Sequence, residues 1–142
     1  MGGAVIEKAA SLSGANEFIN NLPQNFDTIL GSQFKDGREL SKGQWQKIAI
    51  SRMVYSNAPI LILDEPTSAM DSISEVKFFN NFKKSIGNKI VFLISHRFST
   101  VRYAHTIYVL KKGCIIESGS HNDLIKGQGL YRKMYDDQVT NH

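Results

Sequence analysis

Residues 60–66 read Ile-Leu-Ile-Leu-Asp-Glu-Pro, and this stretch decides the fold class. Four apolar residues stopped by two acids are typical of a strand that is buried on both faces of a parallel sheet. A predicted helix over 72–84 and a second apolar run over 90–94 follow, so the pattern indicates a βαβ unit with the usual right-handed crossover. We therefore expect an α/β domain with Asp64 and Glu65 at the carboxyl edge of its sheet, where such proteins bind ligands.

The sequence on either side of this unit predicts helices before it and a hairpin after it. Residues 4–22 indicate two short helices that are interrupted near Gly14. A third helix begins at the N-cap residue Ser41 and ends near Asn57. The remaining elements are predicted as a hairpin with strands over 106–110 and 115–118, and two short helices that begin at Asn122 and Leu130.

Composition and charge exclude few classes of function. A chain of 142 residues with 42% hydrophobic content predicts one small domain with a real core. Its formal charge of +4 is compatible with binding to phosphates or nucleic acid and indicates neither. Cys114 is the only cysteine, which excludes an intrachain disulfide, and we expect a buried or half-buried thiol in a reducing cytosolic setting. The apolar runs are shorter than the roughly 18 residues that a membrane span needs.

The two acids after the first strand suggest a metal and a water. An acid directly after the strand can hold a magnesium ion, usually through water, and the next acid is placed to polarise an attacking water. These roles would fall to Asp64 and Glu65. A solvated strand end would contain the same residues, so this stretch alone does not choose between the two interpretations.

Two further features are expected near these acids. Ser41 and Gly43 lie at the start of a predicted helix, where unpaired amides and the helix dipole favour an anion, although a simple N-cap would also use Ser41. His96 follows the second buried strand, so a parallel sheet would bring it close to Glu65. A lone histidine is more often structural, and only its place at the same sheet edge favours a functional role.

Together these motifs resemble the ABC-type ATPases, and the resemblance covers nearly the whole chain. Leu40 to Gln44 match the signature motif, Ile60 to Glu65 match Walker B, Ser68 to Asp71 match the D-loop, and His96 matches the switch histidine. Residues 108–121 are similar to the segment that follows the switch histidine in exporters. The stretch 43–47 is most similar to bacteriocin or lantibiotic peptide exporters.

The resemblance implies that each ATP site is formed by residues from two nucleotide-binding domains. Asp64 would coordinate Mg²⁺ through water, Glu65 would be the catalytic carboxylate, and His96 would contact the γ-phosphate. The signature would contact the γ-phosphate of ATP held by a second nucleotide-binding domain in a head-to-tail dimer, and Asp71 would communicate between the two sites. The signature residues are Ser41, Lys42, Gly43 and Gln44, in which Lys42 departs from the commoner glycine.

The resemblance also implies where the chain belongs in such a protein. We expect a partial P-loop NTPase-like α/β domain, with part of the helical subdomain over 1–57 and the Walker B and switch-histidine half of the parallel core sheet over 58–142. A transmembrane domain would be its partner, and the inner, cytoplasmic face of the membrane its location. No nucleic acid is expected as a ligand.

A phosphate-binding loop is absent from this sequence. That loop needs Gly-x-x-x-x-Gly-Lys followed by Ser or Thr, and none of the 11 glycines here is followed by lysine. We therefore expect the chain to begin inside the helical subdomain and to hydrolyse no ATP alone. The strand that precedes His96 should also have an open edge, which reduces stability and favours aggregation or pairing.

Two other classes of function stay open at this point. One is a non-catalytic module that supplies Ser41 and Gly43 in trans to a complete ATPase. The other is the C-terminal head of a DNA-repair or chromosome-maintenance ATPase. No heptad-bearing coiled coil precedes the signature, which argues against the second of these.

Overall fold

The computed structural model describes residues 2–56 and 58–140, which form two compact units, Met1–Phe92 and Leu93–His142. Its elements follow the predicted order closely. They are α1 (Gly2–Ser13), α2 (Asn16–Ile19), a 3-10 turn (Asn25–Asp27), α3 (Lys42–Tyr55), β1 (Ile60–Asp64), α4 (Ser72–Ser85), β2 (Ile90–Ile94), α5 (Phe98–Val101), β3 (Ile107–Lys111), β4 (Cys114–Gly119), α6 (His121–Lys126) and α7 (Leu130–Thr140). The predicted end of the third helix near Asn57 lies outside the described residues, and α3 ends at Tyr55.

The helices of the first unit pack around small side chains. The predicted interruption between α1 and α2 is confirmed, and Gly14 adopts φ +74°, a conformation that a side chain would disfavour. Ala10, Ala15 and Ile19 are buried together, with Ile48 of α3 partly buried against them. The short side chains allow α1 and α3 to approach closely, which fixes α3 in the unit.

Helix α4 buries three aromatic rings and one carboxylate. Phe78, Phe79 and Phe82 are all buried, and the ring of Phe78 lies 5.1 Å from that of Phe79 and 5.4 Å from that of Phe82, centroid to centroid. Glu75 is 1% exposed and accepts a hydrogen bond from Thr67 Oγ1 at 3.2 Å. The buried pair ties the first turns of α4 to the chain that follows β1.

The two apolar strands are neighbours in a two-stranded sheet, but the predicted burial of both faces is wrong. Leu61 and Leu63 are buried, whereas Ile60 and Ile62 are 52% and 67% exposed. On β2, Ile90 and Phe92 are 58% and 56% exposed. Apolar runs with both faces covered need layers above and below the sheet, and among the described residues only one face is covered. The predicted open edge of β2 is also found there, because the sheet has two strands.

The second unit is built on the predicted hairpin. Strands β3 and β4 are antiparallel, with Lys111 opposite Cys114 and an irregularity between Val109 and Leu110. Lys112 and Gly113 adopt φ values of +52° and +79°, and two positive φ angles are what a two-residue hairpin turn requires. The core consists of Phe98, Ile107, Val109, Leu124 and Tyr131. Cys114 is exposed, so the expectation of a buried thiol is wrong: it stands beside the turn rather than on the core face.

The part of the chain that the structure describes contains no helix that is both long and apolar enough to cross a membrane. The division into units falls between Phe92 and Leu93. The predicted boundary between a helical subdomain over 1–57 and a core segment over 58–142 stays a prediction.

Candidate functional site

Strand β1 ends in the two predicted acids, and they differ in their surroundings. Asp64 is the last residue of the strand and is exposed, whereas Glu65 is partly buried. Glu65 adopts φ +45°, in the left-handed region that residues other than glycine rarely enter. Such a backbone persists only where neighbouring contacts hold it, and it occurs often at functional sites. The strand end is therefore held by its surroundings rather than by local preference.

Helix α3 begins with a complete capping box. Ser41 Oγ accepts a hydrogen bond from the amide of Gln44 at 3.3 Å, and the amide of Ser41 donates to Gln44 Oε1 at 2.9 Å. This confirms Ser41 as the N-cap residue, and it gives the Gln44 side chain a second, local role in the cap. The Ser41 hydroxyl keeps its proton as a donor, so an anion at this helix start is chemically compatible with the cap.

The first turn of α3 lies against the loop that follows β1. A Cβ atom added to Gly43 would lie 3.6 Å from both Ala69 Cβ and Ala69 O, an ordinary contact distance. One turn further along, Gln46 Nε2 donates hydrogen bonds to Glu65 O at 2.8 Å and to Ser68 Oγ at 3.3 Å. The structure thus brings the signature helix and the backbone of Glu65 together within the first unit.

Helix α4 begins at Asp71, whose carboxylate is fully engaged in the cap. Asp71 Oδ1 accepts from the amides of Ile73 at 3.0 Å and Ser74 at 2.9 Å, and Oδ2 accepts from Ser74 Oγ at 2.6 Å. The Ser74 hydroxyl, followed by the Ser74 amide, lowers the pKa of Asp71 below its ordinary value. Asp71 is thus an ionised cap at the end of the loop that begins at Glu65, and its predicted role in communication between sites stays a prediction.

His96 lies in the second unit, exposed, after β2. Its backbone carbonyl accepts a hydrogen bond from Gln138 Nε2 of α7 at 2.8 Å. The other end of the same amide, Gln138 Oε1, accepts from the amide of Phe98 at 3.3 Å. The predicted closeness of His96 to Glu65 joins residues of different units and stays a prediction.

The residues present fit a magnesium ion bound mainly by water and phosphate. No group of three or more His, Cys, Asp and Glu side chains that could hold a metal ion occurs in the described ranges. Mg²⁺ in nucleotide sites needs no such cage, since one carboxylate, several waters and the phosphates complete its octahedron. Exposed Asp64 offers that carboxylate at the end of β1.

Sequence reasoning missed Gln46 and Gln138, whose side chains hold the carbonyl groups of Glu65 and His96. A signal existed for Gln46, because it lies three residues after Gly43 and therefore on the same face of the helix. Nothing in the sequence marks Gln138, because its bonds to His96 and Phe98 cross about 40 residues of chain.

Comparison with known proteins finds similarity to ABC transporters. Residues 5–68 match the family described as ABC transporter. The chain is 48% identical over 132 residues to the ATP-dependent lipid A-core flippase of Acinetobacter baylyi, covering 93% of this chain and 22% of that protein. It is 46% identical to the leukotoxin export ATP-binding protein LtxB of Aggregatibacter actinomycetemcomitans, covering 92% of this chain and 18% of that one.

A solved structure resembles the chain over almost its entire length. A bacterial Atm1-family ABC exporter with ATP bound matches with a TM-score of 0.85 and 37% sequence identity, covering 96% of this chain and 23% of that one. The chain thus spans about a fifth of the length of the proteins it resembles.

Proposed function

We propose that this chain, which matches the ABC transporter family over residues 5–68, takes part in coupling ATP binding and hydrolysis to export across a membrane. It corresponds to part of an ABC exporter nucleotide-binding domain and is homologous to lipid A-core flippases. The predicted fold class, a partial P-loop NTPase-like α/β domain, is confirmed. The narrower resemblance to bacteriocin or lantibiotic peptide exporters stays a prediction.

One observation supports the proposal most directly: the signature helix is packed on the loop that follows the two acids. Gly43 approaches Ala69, and Gln46 binds the carbonyl of Glu65. A helix start that can bind an anion and a carboxylate that can polarise water are thereby parts of one hydrogen-bonded arrangement. A solvated strand end with an unrelated N-cap would not need this contact.

In the proposed mechanism Asp64 would hold Mg²⁺ through water, and the bound ion would supply positive charge that offsets the charge of the phosphates. Glu65 accepts a hydrogen bond from the attacking water and orients it towards the γ-phosphate, where positioning supplies most of the catalysis. His96 donates a hydrogen bond to the γ-phosphate. Each of these steps uses a side chain at the end of a strand, β1 or β2.

The signature serves a second nucleotide-binding domain in the proposal. Ser41, Lys42, Gly43 and Gln44 face the γ-phosphate of ATP bound by that domain, in a head-to-tail dimer, and Asp71 communicates between the two sites. A transmembrane domain carries the exported substrate, and the nucleotide-binding domains work at the inner face of the membrane. The similarity to a flippase and to an export protein supports a transporter over a DNA-repair ATPase.

A chimera tests the catalytic part of the proposal. The chain replaces the 132 matching residues of the Acinetobacter baylyi flippase, and Mg²⁺-dependent ATP hydrolysis is measured for the chimera and for the isolated chain. We expect hydrolysis by the chimera and none by the isolated chain, because the P-loop sequence is supplied only in the chimera.

Two variants of the chimera make this test specific. Glu65→Gln should lower kcat by about 10²- to 10⁴-fold, the usual contribution of a positioned general base. Glu7→Gln, an equal change on the exposed face of α1, should leave kcat unchanged. A folded chimera without activity would contradict the proposed function, and full activity of Glu65→Gln would contradict the role of that carboxylate.

The trans-acting alternative has its own experiment. The isolated chain is mixed with a complete P-loop ATPase domain of the same family, and stimulation of hydrolysis is measured. Gly43→Asp should abolish any stimulation, because a carboxylate at the start of α3 repels phosphate. Gly3→Asp places the same charge on α1, where an added Cβ meets no atom within 4 Å, and should leave the stimulation intact.

A further inference from the structure

The side chain of Gln46 joins helix α3 to the carbonyl of Glu65. Its Nε2 donates to Glu65 O at 2.8 Å and to Ser68 Oγ at 3.3 Å. The same Glu65 oxygen also accepts from the amide of Ser68 at 3.2 Å. Two donors from different elements therefore converge on the backbone of a residue whose φ is +45°.

The orientation of the Gln46 amide is fixed by what it contacts. A carbonyl oxygen only accepts hydrogen bonds, so the nitrogen of Gln46 must face Glu65, and a flipped amide would place two acceptors together. In this orientation Gln46 Oε1 is buried and has no hydrogen-bond partner within the described part of the chain. A buried acceptor without a partner opposes folding, so the contact is poorly explained as a source of stability.

Two further hydrogen bonds hold the rest of the loop. The amide of Met70 donates to Thr67 O at 3.0 Å, and Thr67 Oγ1 donates to buried Glu75 at 3.2 Å. These bonds fix residues 67–70 against α4. The unusual backbone at Glu65 lies outside them, at the point where Gln46 binds.

We propose that Gln46 is a positioning residue, which holds the Glu65 backbone in register with the first turn of α3. Because Gln46 and Gly43 lie on one face of the same helix, a displacement of α3 by a ligand at its start moves the Glu65 carbonyl with it. The kinetic consequence rests on the proposed function, whereas the structural consequence rests on the hydrogen bonds alone.

The structural consequence is measured on the 142-residue chain by amide hydrogen exchange. Gln46→Ala and Gln46→Glu are compared with Arg52→Ala, a change at an exposed position on the same helix. Gln46→Glu keeps the size of the side chain and removes its donor. We expect exchange of the Ser68 amide to become about 5-fold faster in both Gln46 variants, because local opening of the loop no longer breaks the hydrogen bond between Gln46 and Glu65. Arg52→Ala should leave it unchanged.

The kinetic consequence is measured in the flippase chimera. Both Gln46 variants should lower kcat about 10-fold with little change in KM, because a misplaced carboxylate weakens the transition state and leaves ATP binding intact. Arg52→Ala should match the unsubstituted chimera in both constants. A purely structural role would instead lower the amount of folded enzyme and leave the kcat of the folded fraction unchanged.

The outcomes separate this inference from the function on which it rests. Faster Ser68 exchange in an inactive chimera would support the Gln46 contact and contradict the proposed function. An unchanged exchange rate of the Ser68 amide in both Gln46 variants would overturn the inference. The original rate in Gln46→Glu alone would also overturn it, because the size of the side chain, and not its amide donor, would then be sufficient to hold the loop. A change confined to KM would overturn the positioning role.

Discussion

Two glutamine side chains hold the backbones of two candidate catalytic residues, one in each unit. Gln46 Nε2 donates to Glu65 O, and Gln138 Nε2 donates to His96 O, both at 2.8 Å. Gln138 uses both ends of its amide, because its Oε1 accepts from Phe98. Gln46 leaves its Oε1 buried without a partner among the described residues. The two hydrogen bonds have the same donor, acceptor and length. They differ in the amide oxygen, which has a partner in Gln138 and has none among the described residues in Gln46.

Equal donor–acceptor distances therefore do not imply equal roles for the two glutamines. An unsatisfied buried acceptor costs about 1–3 kcal/mol, which is as much as a typical hydrogen bond returns. The Gln46 contact therefore adds little net stability and constrains geometry. The Gln138 contact is satisfied and more exposed, so its effect should be a modest local stabilisation around His96.

The largest expected effect comes from dislodging the helix that carries Gln138. Glu117 accepts hydrogen bonds from the amides of Leu130 and Tyr131 at the start of α7, and a Cβ on Gly129 would clash with the Glu117 carboxylate. Gly129→Ala should lower the free energy of unfolding by about 2 kcal/mol through loss of these charge-assisted bonds. Urea denaturation measures it, and the Phe98 amide should exchange faster.

The control for this prediction is Gly127→Ala, two residues away. The atom nearest to a Cβ there is Leu124 O at 3.4 Å, which needs no rearrangement. Equal stability of the two variants would mean that the Glu117 side chain can move without loss of stability. The contact between Gln138 and His96 would then not depend on the start of α7.

The next largest effect concerns the far end of the loop that Gln46 holds. Asp71→Ala removes the cap of α4 and should lower Tm by about 3 °C. Asp71→Asn keeps the oxygen that accepts from the backbone amides but loses the charge and the acceptor for Ser74 Oγ, so it should recover only part of that loss. If Gln46 alone holds the Glu65 backbone, neither variant should change the exchange rate of the Ser68 amide. A faster rate would show that the Asp71 end of the loop also helps to hold that backbone.

The same cap predicts a pH dependence. The Ser74 hydroxyl and amide lower the pKa of Asp71, so the folded chain releases this proton more readily than the unfolded chain. The stabilisation is fully present above the unfolded pKa, about 4, and is lost as pH falls through the folded value. The difference in Tm between the unsubstituted chain and Asp71→Ala should therefore shrink in acid. A constant difference down to the lowest pH would contradict the ionised cap.

A smaller effect tests Gln138 itself. Gln138→Ala removes the acceptor for the Phe98 amide and should accelerate exchange of that amide about 3-fold, within the net value of an exposed hydrogen bond. Gln128→Ala, at an exposed glutamine in the same unit, is the matched control. If Gln138→Ala lowered the free energy of unfolding as much as Gly129→Ala, the contacts of Gln138 would be a major source of stability in this unit. That result would contradict the modest local effect expected for Gln138.

The smallest effect is a titration in the second unit. His121 Nδ1 lies 2.7 Å from the hydroxyl of Tyr131, and burial, followed by the positive charge of Arg102, lowers the pKa of His121. Since the unfolded chain binds this proton first, stability should decrease as pH falls below about 6.5 and level off below the folded pKa. The expected change in Tm is about 1 °C, and His121→Gln should remove it. An increase in Tm in acid would have the wrong sign.

Much of the local structure was predictable from short-range patterns. The strands β1 and β2, the cap at Ser41, the break at Gly14 and the hairpin turn at Lys112-Gly113 were all predicted and are confirmed. Each depends on residues adjacent in sequence, because caps and tight turns are made within four or five residues. The signature and Walker B motifs were recognised for the same reason.

Burial was predicted less well, because it depends on what covers a surface. The apolar runs at β1 and β2 have the composition of strands covered on both sides, yet Ile62 and Phe92 are exposed. Cys114 is exposed for a related reason, since it stands beside a turn rather than on the core face of β4. The composition of a strand indicates which of its faces could be buried. It does not indicate whether other elements are present to cover those faces.

Local sequence patterns were sufficient to predict the order of the elements, the capped helix starts and the positions of Asp64, Glu65 and His96 after the strands. The contacts of Gln46 with Glu65 and of Gln138 with His96 became apparent only in the folded chain. Those bonds join residues 19 and 42 positions apart. Their geometry follows from the packing of whole helices, which no local pattern of side chains specifies.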